Sequence, residues 1–184
     1  SEKLLNRLLV IFFSLSKKYN EPYSSYTTIS EYIHSLGKKL WMNYGATGSG
    51  SSIYRAKSYV RNHMKFDARI HKWNWDRVRE RLNKDIPVYT RGKGPEGGHA
   101  WIVDGYIIQY RKDQNNVYSN QYRTLVHMNW GWGHGTYDGY YLLGVFDPTT
   151  SPIQYDANVG DNGSARSDNV KFTKKIKTLT WSAE

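Results

Sequence analysis

Three residues of this chain have the types and spacing for nucleophilic catalysis assisted by an imidazole. Gly97-Gly98 deliver His99 to the start of an apolar run, Ala100-Trp101-Ile102-Val103. Thirty residues on stand Asn129 and Trp130, followed by Gly131-Trp132-Gly133. A thiolate nucleophile needs an imidazole to take its proton, and a third group to hold that ring in one tautomer. His99 is the candidate base, Asn129 the candidate orienting amide, and Trp130 an indole to keep water off their contact. If the two segments pair antiparallel with His99 facing Asn129, the turn is centred on Gln114. That residue lies inside Lys112-Asp113-Gln114-Asn115-Asn116, the most turn-like stretch between them, so the register is self-consistent. The chain nevertheless contains no cysteine.

Plainer readings stand beside these. A strand histidine is otherwise a satisfied core group, Asn129 a turn residue, and Trp130 and Trp132 core aromatics. His127 shares a strand face with Asn129, and with His99 and His134 it suggests zinc. No carboxylate sits at ligand spacing, so no metal is expected. Asp104 reads as structural, holding a turn at Gly105, because five residues along one strand separate it from His99. Gly45-Ala46-Thr47-Gly48-Ser49-Gly50-Ser51-Ser52 lacks P-loop spacing and reads as a flexible loop whose glycines let a ligand approach the backbone. Lys, Arg and Tyr interleave over 106–123, as in surfaces that stack nucleic-acid bases or sugars. No RNA-binding motif accompanies them, and no nucleic-acid partner is expected.

The elements that must position these residues follow from periodicity. Glu2 to Lys18 reads as an apolar-faced helix, and Asn20 to Tyr26 as a loop punctuated by Pro22. Thr28 to Leu36 reads as a helix ended by Gly37, and Lys39 to Tyr44 as a short extended segment. Ile53 to Asn62 follows a Ser51 or Ser52 cap, and Trp75 to Asn83 an Asn74 or Asp76 cap. Strands are expected at 67–72, 86–90, 101–110, 124–128 and 140–145. A closing strand within 170–181 is placed at an edge because of its lysines. Arg91 to Gly98 and 147–167 read as loops. Helices first and antiparallel strands after make the class α+β.

Bulk properties bound the rest. The 184 residues suit one domain, with 1–42 as an N-terminal helical segment and 43–184 as the region bearing the candidate base. Sixteen Tyr and seven Trp favour strands and binding clefts over a helical bundle. The net charge of +10 is scattered along the chain, a solvated surface rather than a nucleic-acid stripe. The absence of cysteine removes disulfides and thiolate metal sites. No segment is long enough to span a bilayer, and Leu8 to Phe13 reads as buried helix rather than a signal core.

The ordered set of motifs resembles the streptopain family of cysteine peptidases, the C10 peptidases. The matching pieces are Tyr44-Gly45 with the Gly/Ser loop, Trp75 before a helix, Pro87-Val88-Tyr89, Gly97-Gly98-His99-Ala100 with Val103-Asp104-Gly105, and His127-Met128-Asn129-Trp130-Gly131-Trp132-Gly133. Asn43 to Asp147 is similar to the C-terminal half of that family. The resemblance implies a papain-like fold with His99 as base, Asn129 as orienter and Trp130 as shield. It also implies that Gly98, Trp132 and Ser49, Gly50, Ser51 and Ser52 line a peptide cleft with a hydrophobic S2 pocket. Arg91 to Gly97 would be a mobile flap. It implies no cofactor, a peptide or protein substrate, a pro-segment, and a secreted, periplasmic or cell-surface bacterial enzyme. The departures are the missing Cys, which the family carries at a helix N-terminus, and His134 where a second Gly usually follows Gly133. Three explanations are open: a processed or truncated chain whose Cys lies on another segment, an inactive homologue that binds peptide or glycan, or a substitute nucleophile such as Ser1.

Overall fold

Leu125 to Trp130 and Trp101-Ile102-Val103 are buried without a break, as strands covered on both faces must be. The computed structural model describes residues 23–45, 48–112, 114–132, 137–157, 161, 163–167 and 170–182, without the side chains of 23–29, 48 and 119. Expectations for 1–22, including the Glu2 to Lys18 helix and Ser1, and for His134 lie outside those residues. The described elements are α1 (Tyr23–Lys39), β1 (Asn43–Gly45), β2 (Gly48–Gly50), α2 (Ile53–Asn62), β3 (Asp67–Lys72), α3 (Trp75–Leu82) and β4 (Val88–Gly94). Then come β5 (Gly97–Lys112), β6 (Tyr118–Asn129), β7 (Gly139–Leu142) and β8 (Lys174–Ser182). The class is α+β.

Six strands form an antiparallel sheet in the order β3-β8-β4-β5-β6-β7, and β1 and β2 form a separate small hairpin. On one face Val78 of α3 packs with Val88, Trp101, Val103, Val126, Met128, Trp130, Tyr141 and Phe172. On the other, Ile53 and Val60 of α2 pack with Ala68, Ile86, Leu179 and Trp181. The α2 and α3 helices have the caps that the sequence offers: the Ser52 side chain accepts from Arg55 N–H, and the Asn74 side chain from Arg77 N–H.

Four expectations need correction. The α1 helix already includes Tyr23 and runs through Gly37, where the Tyr44 phenol occupies the space that a Cβ would need. The Gly/Ser loop is largely the β1–β2 hairpin. Arg91 to Gly98 is no loop: β4 continues to Gly94, Pro95-Glu96 turn, and β5 departs from Gly97 at φ +128°. The closing strand lies inside the sheet between β3 and β4. Its buried half, Thr178 to Trp181, carries the core, and Lys174 and Lys175 sit on the exposed end, where they need not guard an edge.

Candidate active site

His99 is the third residue of β5, and its cross-strand partner is Gly92. That glycine is needed for packing. A Cβ on it would come 2.6 Å from Ile176 Cδ1, 3.0 Å from Phe172 Cβ and 3.1 Å from Trp101 Cη2. These side chains can therefore close around the imidazole. Trp132 stacks on the His99 ring at 4.3 Å between centroids and 15° between planes, and Phe172 lies at 5.7 Å. The Arg166 guanidinium covers Trp132 at 4.2 Å from its ring centroid.

One hydrogen bond sets the chemistry of the ring. His99 Nε2 lies 2.7 Å from the backbone carbonyl of Trp130. A carbonyl only accepts, so Nε2 carries the proton and donates it. The neutral ring then has its lone pair on Nδ1, which has no hydrogen-bond partner among the described residues. Burial pushes the imidazole down to about 4, with Arg166 adding to the fall and the Trp130 carbonyl opposing it. The folded value lies below the unfolded one of about 6.5, so the unfolded chain binds more protons between the two. This group's contribution to stability is lost as pH falls through that window. An NMR titration of the chain should show the His99 imidazole neutral at about pH 5.5 with a midpoint near 4. An unshifted midpoint near 6.5 would mean the ring is solvated.

The expected facing of His99 and Asn129 does not occur. Asn129 pairs with Ile102, three residues further along β5. By strand alternation Ile102 lies on the opposite face from His99, Trp101 being between them. Asn129 shares that opposite face, and its Oδ1 accepts from Gly131 N–H at 3.0 Å. The contact made to the imidazole comes instead from the Trp130 backbone, which the buried carboxylate of Asp138 fixes by accepting Trp130 N–H at 2.8 Å. Asp138 and Arg166 were not read from the sequence. The only signal for Asp138 was a carboxylate next to Gly139 at the head of an apolar strand.

Gly98, His99, Ser49, Gly50, Ser51 and Ser52 do come together. They line one cavity of about 320 Å³, with Tyr89, Arg91, Leu179 and Trp181 from the sheet and Leu36 and Leu40 from α1. Ser51 and Ser52 also have local duties, Ser51 donating to the Leu40 carbonyl and Ser52 capping α2. Trp132 is not in the wall of this cavity; it sits on the imidazole.

His127 belongs to a different cluster. Its Nδ1 is 2.5 Å from Asp104 Oδ1 and its Nε2 is 3.0 Å from Asp161 Oδ2. Both nitrogens donate, which leaves no lone pair for a metal. Among the described residues no group of His, Asp and Glu is arranged to hold one. Asp104 is structural as expected, through His127 rather than a turn: Gly105 marks a bulge inside β5.

The chain is similar in sequence to known proteins. A model of the Peptidase C10 family matches residues 12–141. Streptopain from Streptococcus pyogenes is 28% identical over 130 residues, 66% of this chain and 29% of that protein. The thiol protease/hemagglutinin PrtT from Porphyromonas gingivalis is 26% identical over 152 residues, 77% of this chain and 15% of that protein. The chain thus spans less than a third of either relative.

Proposed function

Because this chain belongs to the Peptidase C10 family, we propose that it carries the base-bearing half of a streptopain-type cysteine endopeptidase. Its nucleophilic Cys would lie on a segment outside these 184 residues. The observation that supports this most is the tautomer of His99. With Nε2–H held by the Trp130 carbonyl, Nδ1 is an unprotonated acceptor, and His99 is one of the residues that line the cavity with Gly98 and Ser49 to Ser52. A thiol brought to Nδ1 would lose its proton there, and the imidazolium would return it to the leaving amine.

On this reading Trp130 orients the ring through its backbone, and Trp132 excludes water from one face. Asn129 acts at one remove, by tying the Gly131 N–H that follows the orienting peptide. The substrate is a peptide or protein lying across Gly98 and the β2–α2 junction. The fold is papain-like, the α1 side of the cavity faces the segment with the Cys, and the enzyme works as a secreted or surface protein after loss of a pro-segment. Among the described residues no helix is long and apolar enough to cross a membrane.

The test uses the product of the complete coding sequence. It should hydrolyse a peptide with a hydrophobic residue two positions before the cut, and alkylation of one cysteine, seen as a single mass increment, should stop it. A complete product with neither a reactive thiol nor hydrolysis would sink the proposal and leave an inactive peptide- or glycan-binding homologue.

A further inference from the structure

The base chemistry makes no use of the cation that lines the same cavity, Arg91. Arg91 lies on β4 between Ala100 of β5 and Lys177 of β8. Strand alternation puts it on the face of Tyr89, the face of the cavity. A Cβ on Gly98 would sit 3.7 Å from Arg91 Nη2, so the guanidinium lies against the backbone immediately ahead of His99. Arg91 also lines a shallower hollow next to the cavity, with Asn43, Gly50, Ser51, Ser52 and Arg55.

Among the described residues no group neutralises that guanidinium. Among the described residues Arg91 makes no side-chain hydrogen bond and no ion pair. The neighbouring charges are also positive. Lys177 Nζ donates to Tyr54 Oη at 3.1 Å. The Tyr54 phenol is drawn down by Lys177 first, with Arg91 and Lys57 adding to it. The carboxylates of Asp67, Asp76 and Glu80 are committed elsewhere, to Arg69, Arg79 and Lys84. A half-buried arginine beside a glycine, facing a cleft and ringed by cations, presents an open fork of N–H donors.

We infer that Arg91 selects a carboxylate on the bound peptide, close to the bond that is cut. The carboxylate belongs to an acidic side chain or to a free C terminus. The missing side chain at Gly98 lets it approach the guanidinium, and Lys177 and Arg55 supply the surrounding field. This inference rests on the cysteine-peptidase reading.

The complete enzyme tests it with doubly capped fluorogenic peptides that carry Glu, Gln or Lys at each position flanking the cut. A second pair differs only in a free or amidated C terminus. At one position Glu should exceed Gln by about tenfold in kcat/KM, and the excess should shrink with added salt. If the C terminus is what binds, the tenfold appears in the acid and amide pair instead. Arg91→Met should bring the ratio to about one. Arg91→Lys should keep part of it, and Arg91→Glu should turn the preference to Lys. Binding of the same pairs to the alkylated complete protein, read by fluorescence anisotropy, should show the same ratios. Peptides cut with Glu and Gln equal everywhere, and acid and amide equal, overturn the inference while leaving the peptidase reading intact. If nothing is cut the peptidase reading falls, and equal binding of every pair then overturns this inference too.

Discussion

Replacing His99 with Ala in the complete enzyme is expected to lower kcat/KM for peptide hydrolysis by about a thousandfold or more. The loss runs through Nδ1. Its lone pair is fixed by the Nε2 contact to the Trp130 carbonyl. Without the ring, the thiol keeps a pKa of about 8.5 and no acid stands ready for the leaving amine. The variant's residual rate should therefore rise with pH toward that value, where the thiol ionises unaided. Free imidazole, which fits the space left beneath Trp132, should restore part of the rate. A rate unchanged by the substitution would reject His99 as the base, and a loss with neither signature would point to structural damage instead. The titration of the ring gives a second, independent mark. In this chain burial holds His99 near 4. A thiolate at Nδ1 favours the imidazolium, so the midpoint should move upward in the complete enzyme and return toward 4 when the thiol is alkylated.

The part of this site legible in the sequence was the part that depends on residue type. A glycine-preceded His on a strand and an Asn-Trp thirty residues later were sufficient to point to His99 and to the neighbourhood of the carbonyl that it bonds, though through the Asn129 amide and the Trp130 indole rather than the Trp130 backbone. Their register was not legible. Pairing Asn129 with Ile102 instead of His99 is a shift of three residues, and an odd shift moves a side chain to the other face of the sheet. Two irregularities in the β5–β6 ladder, at Val103/Gly105 and Tyr110/Lys112, displace the partners; Gly105 hints at the first, and no glycine marks the second. The contact to the imidazole accordingly comes from the Trp130 backbone and not from the Asn129 amide. The β8 strand fails for a related reason. Lysines at 174 and 175 look like edge protection, but insertion between β3 and β4 is a matter of long-range topology, and periodicity carries no information on it. Asp138 and Arg166 reach the site through contacts that only the folded chain makes. Capped helices, by contrast, were legible because Ser52 and Asn74 act on N–H groups three residues away.

The second large effect is expected from His127, on the sheet face away from the His99 ring. Two carboxylates flank the imidazole, and a neutral ring has one N–H to offer them. The doubly bonded geometry therefore requires the imidazolium, and the carboxylates of Asp104 and Asp161 hold it up to about 10 against burial, which works the other way. The Asp161 side chain is fully buried, and Asp104 is partly exposed. Asp161 also closes its own loop, its Oδ2 accepting Asp156 N–H at 3.0 Å. The cluster thus ties Asp161 to β6. Replacing His127 with Gln leaves two close carboxylates without their cation, a defect of about 3–5 kcal/mol. Chemical denaturation should show that loss at about pH 6, with the midpoint moved and the slope unchanged. The sign with pH follows from the raised value. The stabilisation is fully present below the unfolded pKa of about 6.5 and is lost as pH rises toward 10. The gap between wild type and His127→Gln should therefore be widest at about pH 6 and narrow steadily in alkaline buffer. A gap that is constant with pH would mean that His127 is neutral in the folded chain and that one of the two carboxyl groups carries the proton instead.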